Sequence, residues 1–224
     1  MFLCGKQGRR ILAALVGNTE QMSPVIGVLA LQGDFQAHAR AIEAAGGTAT
    51  EVRTPQQVAA VDGLILPGGE STTIGKLMAR YGIDSAIRDA GAAGMPIYGT
   101  CAGMILLARE IAHGAERGGQ PTLGLMDIAV ARNAFGRQVD SFEADIDAPG
   151  VTSGGAVRGV FIRAPYVERV GEDVEVLGRY QDRIVLVRQG NLLASAFHPE
   201  LTGDTRLHRY FLDMVSGANA AENG

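Results

Sequence analysis

The stretch Gly99-Thr100-Cys101-Ala102-Gly103 decides how this chain is read. Before it, Met95-Pro96-Ile97-Tyr98 predicts a short buried strand. After it, Met104-Ile105-Leu106-Leu107-Ala108-Arg109-Glu110-Ile111 is apolar on nearly every face, as a buried helix would be. A small-x-nucleophile-x-small turn between strand and helix is the recipe of a nucleophile elbow. Its glycines permit a tight, strained turn and leave the central side chain exposed at the carboxyl edge of a sheet. Here that side chain is a thiol, and the first N–H groups of the helix would favour its thiolate. On the elbow alone, a buried structural cysteine stands as the alternative.

Working outward, the 224 residues suffice for one full-sized α/β domain with a substantial core. Apolar residues make up 46% and charged residues 20%, ordinary for a soluble globular chain. The 31 glycines, about twice the usual share, suit a fold with tight turns near a ligand. A net charge of −4 with no basic cluster argues against nucleic acid or an anionic membrane as partner. Cys4 and Cys101 lie in different contexts and give no disulfide framework, so a reducing cytoplasm fits and would keep a catalytic thiol free. No run approaches the roughly 18 apolar residues of a membrane span. Arg9-Arg10 before the apolar run 11–16 faintly resembles a twin-arginine export signal, but the run is short and no small-x-small cleavage site follows. Met22-Ser23-Pro24 directly precedes the first strand, so Met1 to Gln21 reads as a leader outside the fold. Residues 22–218 then form a single domain and 219–224 a tail.

The apolar run Val25 to Leu31 predicts a parallel strand buried on both faces. Gln32-Gly33-Asp34 turns it, and Asp34 can cap a helix with Phe35, Ala39, Ile42 and Ala45 on one face, ended by Gly46-Gly47. Thr48 to Arg53 alternates as a second strand. Gly63 to Leu66 is a third, ending at Pro67-Gly68-Gly69-Glu70-Ser71-Thr72. Helical spacing resumes through Ile74, Leu77, Met78 and Tyr81, and again through Ile83, Ile87 and Ala90. This order predicts an α/β fold: a doubly wound, mostly parallel sheet flanked by helices, with its site at the carboxyl ends of the strands. Beyond a loop at Gly114 to Pro121, strands are expected at Gly124–Ala131, Val139–Ile146, Val157–Ile162, Val174–Tyr180, Ile184–Arg188 and Leu192–Phe197. Hairpin-like turns join several of them, so the sheet should gain antiparallel strands in its second half. A last helix is expected from about Thr205 to Val215.

A cysteine hydrolase needs a base near sulfur and a third group to orient that base. Of the four histidines, His38, His113 and His208 read as surface or helix-end residues. His198 ends a strand and is followed by Pro199-Glu200. In an extended segment His198 and Glu200 project to one side, so Glu200 can accept from one imidazole nitrogen while the other faces sulfur. A lone His-Pro-Glu is otherwise a plain turn; the upstream elbow is what gives it a partner. Pro67-Gly68-Gly69-Glu70-Ser71 follows a parallel strand on the same edge, and N–H groups of Gly69 and Ala102 could form an oxyanion hole. A phosphate loop is excluded, because Gly-x-x-x-x-Gly-Lys-Ser/Thr is absent.

Gly99-Thr100-Cys101-Ala102-Gly103 with His198-Pro199-Glu200 resembles the class I (triad) glutamine amidotransferases. The stretches Leu31-Gln32-Gly33-Asp34, Pro67 to Thr73, Arg132-Asn133-Ala134-Phe135-Gly136-Arg137-Gln138, Ser141 to Asp145, Val160 to Pro165 and Ser195 to Leu201 are similar to the glutaminase-subunit family of pyridoxal 5′-phosphate synthase. They span about Val25 to Gly217; the leader and the glycine-rich loop at Gly114 to Pro121 depart from the pattern. The resemblance implies hydrolysis of L-glutamine by Cys101, His198 and Glu200, with ammonia passed to a synthase barrel subunit in a hetero-oligomer that makes the vitamin B6 cofactor. It implies no cofactor or metal for this chain. It further implies that Gly69, Glu70, Ser71, Arg132, Ile162 and Arg163 bind substrate, Glu70 taking the amino group and Arg132 the carboxylate. A salt bridge or subunit contact is the alternative for the Arg163 side chain. A cysteine peptidase or γ-glutamyl hydrolase of related fold is the competing activity, and a non-catalytic binding subunit a third reading. An acceptor-free subunit is expected to stay quiet until docked, with the Gly69 peptide as switch and the surface near Gln32-Gly33-Asp34 as contact.

Overall fold

In the computed structural model, which describes residues 23–113, 119–132, 141–151 and 155–221, the chain opens with β1 (Val25–Leu29), buried along nearly its whole length. The proposed leader, most of the glycine-rich loop, the Asn133 to Gln138 stretch, the first two residues of the strand expected from Val139, and the last three residues of the tail lie outside the described residues. Asp34 caps α1 (Phe35–Ala44) by accepting from Ala37 N, as its position after the turn predicts. β2 (Thr48–Val52) follows, then a short helix that the spacing does not announce, α2 (Pro55–Val58), capped by Thr54 with Pro55 in its first turn. β3 (Gly63–Leu66) is wholly buried and leads into α3 (Ser71–Tyr81). Gly82, at φ 67°, ends α3 and starts α4 (Ile83–Ala92). β4 (Ile97–Thr100) then delivers the chain to the elbow.

The helix after the elbow is shorter than its apolar composition predicts. α5 spans Ala102–Leu107, and Ala108 turns to an extended conformation that opens β5 (Ala108–His113). Pairing decides the matter: β5 runs parallel to β6 (Met126–Ala131), and Arg109 and Arg169 both pair with Asp127 across the exposed face. Next come β7 (Ser141–Ile146), β8 (Val157–Ile162), β9 (Tyr166–Val170), β10 (Glu175–Tyr180), β11 (Arg183–Gln189) and β12 (Leu192–Ser195). β9 escapes sequence reading because Glu168 and Arg169 are exposed and break the apolar run. A 3-10 turn (Pro199–Leu201) precedes α6 (Arg206–Ala221), which runs past the Val215 end expected from its apolar spacing.

The main sheet has the order β2-β1-β3-β4-β12-β11-β9-β6-β5, with β10 also on β11; β7 and β8 make a separate antiparallel pair. β2, β1, β3, β4 and β12 are mutually parallel, whereas β11 runs antiparallel to β12, β9 and β10. The expected α/β fold is therefore present, with its antiparallel addition in the second half. The core lies against the parallel strands: Ile26, Leu64, Ile65, Leu66, Ile97 and Tyr98 are fully buried. Each such side chain contributes about 1.5–3 kcal/mol relative to exposure. Four parallel strands thus end on one edge, followed by Gln32, by Pro67 to Glu70, by Cys101 and by His198. Among the described residues, no helix is long and apolar enough to cross a membrane.

Candidate active site

Cys101 sits at φ 49° and ψ −101°, a left-handed conformation that a side-chain-bearing residue adopts only when its surroundings impose it. The surroundings are visible. A Cβ on Gly99 would lie 2.5 Å from Gly103 backbone, and one on Gly103 would lie 2.1 Å from the Leu66 carbonyl oxygen. Only glycine at both positions lets α5 descend this close to β3 and β4. Cys101 N donates to Ser195 O at 2.8 Å, which ties the elbow to β12. Cys101 is 8% exposed, with Sγ 4.0 Å from the Ile162 carbonyl oxygen. Arg163, at φ 44°, makes the turn that presents this carbonyl, and its side chain is exposed.

His198 reaches sulfur from the neighbouring strand end. Its N–H donates to Val160 O at 2.8 Å, so β8 holds its backbone. Nδ1 lies 2.7 Å from Glu200 Oε1. A carboxylate only accepts, so the Nδ1 proton points to Glu200 and Nε2 is left for Cys101, the ring's other partner. The pair is made by the 3-10 turn at Pro199, closed by Thr202 N to Pro199 O, rather than by the extended segment expected from its spacing. Burial opposes a charge on His198, but Cys101 and Glu200 outweigh it and push the imidazole up to about 10. Glu200 is likewise buried, yet His38 and then His198 hold its carboxyl well below the usual range. Gly68 packs flat on the imidazole: a Cβ there would lie 2.2 Å from Cε1. Nothing in the sequence pattern singles out that contact.

The Gly69 and Glu70 end of the edge is built by a second crossing. Gly69 has φ 152°, and a Cβ on it would strike Gln32 Oε1, which accepts from Glu70 N at 2.8 Å. Glu70 caps α3, accepting from Thr72 N, Thr73 N and the Thr73 hydroxyl. Partial burial would raise its carboxyl, but these bonds, the Thr73 hydroxyl foremost, lower it to about 2, so it is ionised. Arg132 comes from the end of β6: Nη2 lies 3.7 Å from Glu70 Oε1, and Nη1 donates to Gln120 Oε1 at 2.6 Å. The Arg132 side chain is only 12% exposed. Ser71 is buried in the first turn of α3. The structure thus brings Cys101, His198, Glu200 and Ile162 together, and separately Glu70 with Arg132.

Two histidines expected at the surface are not there. His38 and His208 are fully buried behind Glu200, whereas His113 is exposed as expected and pairs with Glu168 at 3.4 Å. The signal was in the helical spacing. His38 shares the stripe of Phe35, Ile42 and Ala45, and His208 lies beside Leu207 and one turn from Phe211 and Leu212, all packed on the core. Counting histidine as polar hid both.

The arrangement offers a cysteine sulfur beside a buried imidazolium, and a carboxylate and guanidinium fit to read a zwitterion. The chain is 56% identical over 197 residues to pyridoxal 5′-phosphate synthase subunit PdxT of Frankia alni, covering 88% of this chain and 98% of that one. It is 59% identical over 190 residues to the same-named subunit of Desulforudis audaxviator, covering 85% and 98%. A crystal structure described as a glutamine amidotransferase superposes with a TM-score of 0.79 at 53% identity, covering 85% of this chain and 98% of the other. The model of the SNO glutamine amidotransferase family matches residues 28–217. With the elbow, the His198–Glu200 pair and a match over nearly all the described fold, the chain belongs to the SNO glutamine amidotransferase family.

Proposed function

We propose that this chain is the glutaminase subunit of a pyridoxal 5′-phosphate synthase, hydrolysing L-glutamine to glutamate and handing the ammonia to a partner synthase subunit. The observation that carries the reading is the Cys101 elbow facing the His198–Glu200 pair at one sheet edge. The synthase partner rests on what the relatives are named. A free thiol nucleophile suits the reducing cytoplasm, where this reading places the reaction.

Glu70 receives the α-ammonium of glutamine and Arg132 its α-carboxylate, while Ser71 and the backbone of Ile162 and Arg163 complete the pocket. Sγ, as thiolate, attacks the carboxamide carbon, and the carbonyl electron pair moves to oxygen. The N–H groups of Ala102 and Gly69 are the donors for that oxyanion. The His198 imidazolium gives its Nε2 proton to the carboxamide nitrogen; the C–N bond breaks, ammonia leaves and a γ-glutamyl thioester remains. Neutral His198 then takes a proton from water as the water oxygen attacks the thioester. The C–S bond breaks, thiolate and imidazolium are restored, and the new γ-carboxyl loses its proton to solvent. Glu200 keeps the imidazole in one tautomer throughout.

The test is ammonia release from L-glutamine by the full chain with its synthase subunit, with mass spectrometry of an acid-quenched sample for a γ-glutamyl group on Cys101. Cys101→Ala should lose roughly 10³-fold or more of turnover while keeping its fold. More than a tenth of wild-type turnover in the purified variant overturns the assignment. Turnover of γ-glutamyl peptides in place of free glutamine would mark a γ-glutamyl hydrolase or cysteine peptidase.

A further inference from the structure

Behind the triad lies a buried chain of groups that the mechanism above does not use. Glu200 Oε1 is engaged by His198 at 2.7 Å, but among the described residues Oε2 has no well-aligned hydrogen-bond partner. The group nearest to serving it is Nε2 of His38, 3.4 Å away. The same Nε2 lies 3.0 Å from the hydroxyl of Thr100, the residue before the nucleophile. On the other side of the ring, His38 Nδ1 meets His208 Nε2 at 3.2 Å, and the two rings sit 5.4 Å apart. Both histidines are fully buried, and His208 Nδ1 has no partner among the described residues. α1 supplies one ring and α6 the other, so two helices distant in sequence meet at this point.

A carboxylate held by one oxygen can still rotate about its Cγ–Cδ bond, carrying the accepting oxygen out of the imidazole plane. A donor on the second oxygen stops that rotation. We propose that His38 is a positioning residue for the hydrolysis: its Nε2 holds Oε2 of Glu200, so that Oε1 stays fixed on His198 and His198 on the sulfur. Nε2 carries one proton, so Thr100 Oγ1 at 3.0 Å and Glu200 Oε2 at 3.4 Å share it as acceptors, which keeps the ring beside the elbow, and His208 sets which ring nitrogen faces Glu200. The low titration of Glu200, to which His38 contributes more than any other favourable neighbour, agrees with this placement. The proposal rests on the glutaminase reading for its catalytic consequence, but the geometry of sulfur and imidazole can be read without glutamine.

The test compares His38→Gln with His38→Asn in the full chain. Glutamine can place an amide N–H where Nε2 was; asparagine can place one only where Nδ1 was. Two quantities are measured: alkylation of Cys101 by iodoacetamide at pH 7, followed on the Cys101 peptide, and kcat and KM for glutamine with the synthase subunit present. His38→Asn should slow alkylation and lower kcat by about tenfold to a hundredfold, with KM within about twofold, as for other groups that orient a functional side chain through its outer hydrogen bond. His38→Gln should stay within about threefold of wild type in both. Equal rates in the two variants, whether at the wild-type level or equally reduced, overturn the proposal. So does faster alkylation in His38→Asn, since loss of packing alone would expose sulfur. If the wild-type chain releases no ammonia from glutamine, the glutaminase reading fails, and the alkylation comparison still decides the role of His38.

Discussion

Arg132 is nearly buried, and its guanidinium is already committed to the Gln120 carbonyl and, at longer range, to Glu70. A charge held this way is positioned before a ligand arrives, so little ordering remains for the binding step. Arg132→Ala should therefore raise KM for glutamine by about ten- to a hundredfold, the loss of a charge-assisted contact of about 1.5–3 kcal/mol, and leave kcat nearly intact. Steady-state kinetics check it; an unchanged KM would move the carboxylate contact elsewhere, Arg163 being the next candidate. At this scale the sequence was legible wherever partners were neighbours in the chain. Gly99 and Gly103 flank Cys101, and Glu200 lies two residues from His198, so local geometry alone brings them together. His38 and His208 are 170 positions apart, and no local rule makes them meet. Gly68 is similar: its reason for being glycine is a ring from a strand end far along the chain.

Among elements, the loop after β3 carries the tightest demand. Gly68 leaves room for the His198 ring, and Gly33, at φ 98°, is pressed so closely on the Gly68 carbonyl that a Cβ would lie 1.9 Å from it. Gly68→Ala must displace either the loop or the imidazole. We expect kcat to fall by about tenfold or more while the thermal midpoint moves by only a few degrees, since the strain falls at the sheet edge rather than in the core. A scan of thermal unfolding beside glutaminase kinetics tests this, and wild-type kcat in the variant would show that the ring has room to give. The parallel half of the sheet was readable because β1, β3 and β4 are buried on both faces and appear as unbroken apolar runs. β5 and β9 were not, because each exposes charged residues whose ion pairs satisfy them only once the strands are paired. The apolar run after the elbow looked like one helix for the same reason: where α5 gives way to β5 is set by β6.

For the whole molecule, the buried histidines predict how stability depends on pH. His198 is raised from 6.5 to about 10, so its contribution is complete below 6.5 and is lost as pH rises toward 10. His208 is lowered from 6.5 to about 3 by burial and then by His38, so its contribution is complete above 6.5 and is lost as pH falls toward 3. The thermal midpoint should then peak near pH 6.5, with His208→Asn flattening the acid side and Cys101→Ala, which removes a partner of His198, flattening the alkaline side. A midpoint indifferent to pH between about 5 and about 8 would contradict this. A second expectation concerns assembly. Gly69 at φ 152° can reverse its peptide at small cost, and Gln32, on the turn after β1, lies against it. A partner docking on that turn would need only a few kcal/mol to set the Gly69 N–H toward the oxyanion. The value of kcat/KM for glutamine should rise by at least tenfold with saturating synthase subunit; equal values would refute the gating.

The place of β12 between β4 and the antiparallel strands also dictates when in the life of the chain activity can begin. Tyr98 and Ser195 hydrogen-bond in the core although 97 positions separate them, and Cys101 N waits for the Ser195 carbonyl. While the ribosome is still making the second half, the cysteine has been synthesised but its base has not. Contacts so remote in sequence close slowly, and these need the chain through Ser195. A chain that ends before His198 holds the cysteine without its base, and the residues that follow the final strand turn a folding event into the birth of a nucleophile.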